Sequence, residues 1–301
     1  MKSLEAASQN TANSIFVRQN EPYLLDCLLE QRKQYTKAKR MQAGQSCIVF
    51  LFAAFSVISS AIGSELLTAI YGLLSVILLI INKYYGRRIE NVKREAATIQ
   101  QFFDVVLFSA VVGNSELEWH YCPSRKDIAK VLGDYTDQER VSVKNWYSDY
   151  SKLSGSQQVF YCQSENVRWN KELIMDYQVL QMIFWTVVFL AVVISFFVFN
   201  PSFIKMICVC TWLVPIGEYA ASSVVKIKKS CKRHEEIEKD VHFIENTLCN
   251  NEDIVSSLIV LQRKIFKSRC ESVLIPDWFY LLQKRKYQKT EDRIARKISN
   301  S

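Results

Sequence analysis

Aromatic, amide and cationic side chains interleave twice in the middle of this chain. The first run is Val143-Lys144-Asn145-Trp146-Tyr147-Ser148. The second is Tyr161-Cys162-Gln163-Ser164-Glu165-Asn166-Val167-Arg168-Trp169-Asn170-Lys171-Glu172-Leu173. Trp146, Tyr147 and Trp169 offer flat faces to stack a base. The amides of Gln163 and Asn166 can read its edge, and Arg168 can hold a phosphate. That is the chemistry of a nucleotide pocket, and the plainer alternative is a small core with polar caps. Residues 163–178 read as a helix that runs directly into an uncharged stretch, so a ligand held here would pull on that helix.

Other chemistry is poorly provided for. There are three histidines, His120, His234 and His242. His120-x-Cys122 with Cys162 lacks the fourth ligand and the paired spacing of a zinc site. No Gly-rich phosphate loop and no Gly-x-Ser-x-Gly elbow occurs. The reading is therefore of a non-enzyme with no catalytic residues, no metal and no cofactor. Cys47, Cys208 and Cys210 lie inside apolar runs and the other cysteines follow no repeated spacing, as expected of reduced thiols.

The elements that must position the aromatic runs are set by long apolar stretches. Tyr177 to Ile204 runs 28 residues without a charged side chain. About 20 apolar residues suffice to cross the hydrocarbon core of a bilayer. Asn200-Pro201-Ser202 is the natural break before a second apolar run that ends near Val225. Upstream, Met41 to Ser64 and Leu66 to Asn82 are uncharged and separated only by Glu65. A buried soluble hairpin is the competing reading, but two such hairpins exceed what a soluble core of this size could cover. The spacing thus predicts spans at about 44–62, 66–82, 179–199 and 203–225. The first two are near the lower limit of length.

Lys and Arg set the orientation. Residues 31–45 hold five, 82–96 hold five and 226–240 hold six, whereas the turns 63–65 and 200–202 hold none. Both termini and the middle segment are expected in the cytoplasm. The fold class is a mainly α membrane protein with four transmembrane helices in two hairpins. Its expected segments are a cytoplasmic N-terminal segment (1–43), a hairpin (44–82), a mostly helical cytoplasmic insert (83–178), a second hairpin (179–225) and a helical C-terminal tail (226–301).

Within this frame residues 1–20 are polar and expected to be loosely ordered. A helix starts with Glu21 and Pro22 in its first turn. From Lys83 to Val112 the residues Ile89, Val92, Ala96, Ile99, Phe102, Phe103 and Val106 form one stripe. Arg87, Arg88, Lys93, Arg94 and Glu95 take the other side, as in a plain amphipathic stem. Ser124 is placed to cap a short helix, with Asp127 at the capping-box position. In the tail, Asp277 is placed to cap the last helix. Trp278, Phe279 and Tyr280 read blandly as an interfacial belt or as packing on the stem.

Four motifs in order carry a resemblance: Asn145-Trp146-Tyr147; Cys162-Gln163-x-Glu165-Asn166-x-x-Trp169-Asn170-x-x-Leu173; Arg263-Lys264-Ile265-Phe266-x-x-Arg269; and Pro276-Asp277-Trp278-Phe279-Tyr280. From about residue 20 to 296 the chain resembles the SMODS-associated four-transmembrane effectors of bacterial antiphage signalling. It departs where the family commonly has Asp and this chain has Asn170. The family's Phe-Asp…Phe-Gly-Leu pattern appears only as Phe103-Asp104 and Phe108-Ser109-Ala110.

The resemblance implies an effector of the bacterial inner membrane, functionally linked to a nucleotidyltransferase that makes a cyclic oligonucleotide messenger. The messenger would trigger membrane permeabilisation and abortive infection. A non-conducting receptor or adaptor is the alternative. On the chemistry of the motifs, Trp146, Tyr147, Gln163, Asn166, Arg168 and Trp169 line or support the messenger pocket, with Arg263 and Arg269 as further ligand-binding cations. Arg263, Arg269, Asp277 and Trp278 are expected to hold the tail against the middle segment. The two hairpins differ, unlike the repeated halves of a transporter, and four short spans leave little room for a pathway in one subunit. A pore would be a homo-oligomer in the lipid bilayer. Glu218, the one acidic residue inside the spans, follows Pro215 and Gly217, and copies of it would form a ring. Reaching toward the headgroups or pairing with Lys226 is the plainer role for it.

Overall fold

The computed structural model describes residues 14–62, 65–113, 115–116, 119, 122–199, 202–249 and 254–298, all helix, turn or irregular backbone. The expected outer turns lie largely outside this set, as do His120, Gly63, Ser64, Asn200 and Pro201. In chain order the helices are α1 (Ile15–Arg18), α2 (Pro22–Ile62), α3 (Glu65–Val112), α4 (Arg125–Ala129), α5 (Asp137–Val141), α6 (Gly155–Phe199), α7 (Phe203–Cys249), α8 (Val255–Glu271) and α9 (Asp277–Ile298).

Four helices dominate, with 41 residues in α2, 48 in α3, 45 in α6 and 47 in α7. At about 1.5 Å per residue each is roughly twice as long as a bilayer core is thick. Every expected border between membrane and cytoplasmic segments therefore falls inside a continuous helix. The insert 83–178 shares α3 with the first hairpin and α6 with the second.

The two halves of these rods have opposite surfaces. In the expected membrane halves large apolar residues face outward, among them Leu66, Leu73 and Ile80 on α3 and Val179, Phe189 and Phe197 on α6. Contiguous exposed apolar surface of this kind marks contact with lipid or protein. Two helical stretches among the described residues are long and apolar enough to cross a membrane, Ile70–Val112 and Gly155–Val198. The apolar window of the second is unburied, and that of the first is mostly buried.

The other halves enclose three apolar clusters, the largest of them around the second half of α3. The expected α3 stripe, Ile89 through Val106, is buried throughout. Off the stripe Val105, Leu107 and Phe108 are buried too, so α3 is wrapped on all sides from 101 to 109. Lys93 departs from the expected solvent side. It is buried because its ammonium pairs with Glu90 and donates to the Ser272 carbonyl oxygen at 2.8 Å. α3 stops at Gly113, whose φ of +80° favours glycine and whose N–H donates to Ser109 O. Gly155 opens α6 beside that end, where a Cβ would stand 2.6 Å from the Val111 carbonyl oxygen.

Residues 14–20 bring another correction, while 1–13 lie outside the described residues. Ser14, Ile15 and Gln19, expected to be loose, are buried, and Ile15 N–H donates to Gln158 Oε1 at 3.1 Å. Ser124 caps α4 as expected, accepting from Asp127 N–H at 3.2 Å. Asp277 is the first residue of α9 rather than its cap, and its carboxylate accepts from Lys39 Nζ at 2.6 Å.

Candidate functional site

A single carboxylate in the apolar heart of α3 needs compensation, because burying an unpaired charge is costly. Asp104 is fully buried, and two elements supply it with three donors. Arg269 Nη1 from α8 approaches Oδ2 at 2.6 Å, and Gln262 Nε2, two turns earlier, donates to the same oxygen at 2.9 Å. Tyr147 Oη, from the segment between α5 and α6, donates to Oδ1 at 2.7 Å. Gln262 also donates to Gln101 Oε1, and Gln163 Nε2 on α6 donates to Gln262 Oε1 and to the Leu258 carbonyl. Burial, then the Asp104 charge, pushes the Tyr147 hydroxyl well above its usual range. One polar network thus joins α3, α6, α8 and the 142–154 segment. Within it Arg269 Nε and Nη2 and Gln163 Oε1 have no hydrogen-bond partner.

The backbone at Tyr147 is fixed by the chain's beginning. Gln19 Oε1 accepts from Tyr147 N–H at 2.8 Å, and Gln19 Nε2 donates to Tyr147 O at 3.1 Å. Asn145, at φ 54°, takes a left-handed turn that Asn tolerates, and it exchanges hydrogen bonds with Asn20.

A second cluster lies farther along α6, against α9. Arg168 forks onto the buried Glu291 carboxylate, Nη2 to Oε2 at 2.7 Å and Nε to Oε1 at 3.2 Å. Trp169 packs on Tyr287 at 5.6 Å between ring centroids and on Tyr280 at 6.3 Å. Tyr287 Oη donates to Asp176 Oδ2 at 2.6 Å. One turn before Arg168, Glu165 accepts from Ser148 N–H and Oγ, each at 3.1 Å. Burial pushes the Glu165 carboxyl up to about 7, against the hydrogen bonds of Ser148 and with the Glu291 charge adding to the rise.

The raised Glu165 value fixes a sign. A carboxyl that holds its proton more tightly when folded contributes stability that is complete below about 4.5, its ordinary value, and lost as pH rises through about 7. Glu165→Gln mimics the protonated form. Its melting temperature in detergent is expected to match wild type near pH 4.5, to exceed it increasingly as pH rises to about 7, and to keep a constant excess above that. A constant difference across that window would mean Glu165 does not titrate there.

The sequence-expected residues thus separate. Tyr147, Gln163 and Arg269 meet in the Asp104 network. Arg168 and Trp169 face α9, and Asn166 accepts from Asn170 Nδ2 at 2.9 Å. Trp146 is partly buried against the core, and Arg263 is exposed on α8. In the tail, Arg269 binds the middle segment as expected, but Asp277 binds α2 and Trp278 is exposed. Phe279, next to it, packs on Tyr177 at 5.4 Å. Glu218 is exposed on α7, while neighbouring Tyr219 shares a hydrogen bond with Ser46 on α2. Asp104, Gln262 and Glu291 escaped the sequence reading as site residues. A lone Asp in the run Phe102-Phe103-Asp104-Val105-Val106 was the available signal, since such a group demands a buried donor.

Compared with known proteins, residues 13–298 match the family model described as SMODS-associating 4TM effector domain. No curated protein and no solved structure matches the chain.

Proposed function

The chain belongs to the SMODS-associating 4TM effector family, and from that premise we propose that it is a messenger-gated membrane-permeabilising effector. As a family member it is a membrane effector associated with SMODS signalling. In our reading a cyclic oligonucleotide from the partner nucleotidyltransferase binds the cytoplasmic core. Copies of the chain then assemble and open the bacterial inner membrane through four spans per subunit, and both termini stay in the cytoplasm.

The observation that carries this reading is the continuity of α6. The helix that bears Gln163, Arg168 and Trp169 runs without a break to Phe199 through its exposed apolar half. A shift of α6 in the core would therefore move the membrane half as a rod. The half-buried Trp146, Asn166, Arg168 and Trp169 and the exposed Arg263 are assigned to the messenger's bases and phosphates. The buried Tyr147, Gln163 and Arg269 support them from within. Glu218, exposed on the isolated subunit, is assigned to the ring that the assembled subunits place around the pathway.

Full-length protein in dye-loaded liposomes tests the reading. A panel of cyclic di- and trinucleotides should contain one that triggers release, and Glu218→Gln should weaken cation preference in bilayer recordings while messenger affinity holds. Binding without release from any member of the panel would favour a non-conducting receptor. Unchanged selectivity and conductance in the Gln variant would remove Glu218 from the pathway.

A further inference from the structure

Helix α9 has two apolar faces where one would serve to hold it. Phe279, Tyr287 and Ala295 are buried along one side. Trp278, Leu281 and Leu282, exposed at 56%, 63% and 71%, form a second stripe. That stripe is confined to the first two turns. The same face continues with exposed Arg285 and Lys289, at the helical spacing that stacks 278, 282, 285 and 289 on one side.

The contacts of α9 fix its height against the long helices. Asp277 pairs with Lys39, Phe279 packs on Tyr177, and Phe279 shares an apolar cluster with Ile227. These partners lie five, two and two residues outside the expected spans that begin at 44 and 179 and end at 225. At about 1.5 Å per residue these partners sit roughly 3–8 Å from the hydrocarbon edge, and Trp169, which Tyr280 of the same α9 turn touches, about 15 Å from it. Farther on, Glu291 bonds Arg168, nine residues before Tyr177, so α9 ends farther from the spans than it begins. Its exposed face therefore runs from apolar to cationic with increasing distance from the membrane. That is the polarity order of the headgroup region, where Trp sits at the boundary and basic side chains meet anionic lipid.

We propose that the first two turns of α9 are a lipid-docking site. Trp278, Leu281 and Leu282 insert at the headgroup–acyl boundary of the cytoplasmic leaflet, and Arg285 and Lys289 bind anionic headgroups. The proposal rests on the four-span reading above. It makes the C-terminal helix a clamp with lipid on one face and the Arg168–Glu291 pair on the other. The occupant is lipid rather than a second copy of the chain because Phe279, beside the stripe, packs on Tyr177, two residues before the outward apolar surface of α6 where Val179, Met182 and Ile183 are exposed.

Photocrosslinking tests this in the full chain. p-Benzoylphenylalanine replaces Leu282, Phe189 or Lys297 in protein reconstituted into phosphatidylethanolamine vesicles with or without phosphatidylglycerol. Mass spectrometry then identifies the adducts. Lipid adducts are expected at positions 282 and 189 and not at 297. Adding phosphatidylglycerol should raise the yield at 282, and Arg285→Glu with Lys289→Glu should cancel that rise. Lipid adducts at 189 with none at 282, or a crosslinked dimer at 282, would overturn the proposal while leaving the membrane reading intact. Absence of adducts at both positions would overturn the membrane reading and the proposal together.

Discussion

Arg269→Met is expected to destabilise the protein by about 3–5 kcal/mol, the usual cost of leaving one member of a buried ion pair alone. Asp104 is fully buried and Arg269 is the one cation among its described hydrogen-bond partners. The neutral donors Tyr147 and Gln262 would remain, which argues for the lower end of the range. Removing both charges should cost much less than the two single changes added together, because neither carboxylate nor guanidinium is then stranded. Thermal or chemical unfolding of Asp104→Leu, Arg269→Met and the double variant in mild detergent reads this coupling. Additive single effects would mean that the pair does not act as a unit.

Trp169→Ala is expected to weaken messenger binding by about 1–3 kcal/mol, the range found when a stacking aromatic is lost. Trp169 is half-buried and braced by Tyr287 and Tyr280. The bracing gives a base a pre-oriented ring, so little side-chain entropy remains to be lost on binding. The same contacts mean that the Ala variant loosens α9. Trp169→Phe keeps an aromatic face and should retain most of the affinity, which separates stacking from packing. Unchanged affinity of a folded Ala variant in calorimetry would remove Trp169 from the site.

The helices were legible in the sequence because their signals are local. The uncharged run from Tyr177, the stripe from Ile89 to Val106 and the cap at Ser124 each declare themselves within a few turns. What joins them was not legible. Asp104 and Arg269 lie 165 positions apart, and no periodicity announces such a pairing. The fork of Arg168 on Glu291 has the same cause. The borders drawn at 83 and 179 followed hydropathy, which changes abruptly there, whereas the backbone hydrogen-bond ladder continues regardless of side-chain polarity. Gln19 and Asn20 were hidden for a different reason. Polar composition resembles that of a loose end, and only the partners Tyr147 and Asn145 reveal a docked one. Of the candidate site residues, chosen for their chemistry, Tyr147, Gln163 and Arg269 fall in one cluster and Arg168 and Trp169 in another, because each has distant partners that sequence spacing does not display.

The most direct test of the account is current across a planar bilayer holding oriented full-length protein, with messenger added to one side at a time. The account predicts that a cyclic oligonucleotide shown by calorimetry to bind evokes current from the side exposing the core of α3, α6, α8 and α9. From the side of the expected outer turns, 63–65 and 200–202, it should evoke none. A silent bilayer with messenger bound on the core side, or equal currents from both sides, would contradict it.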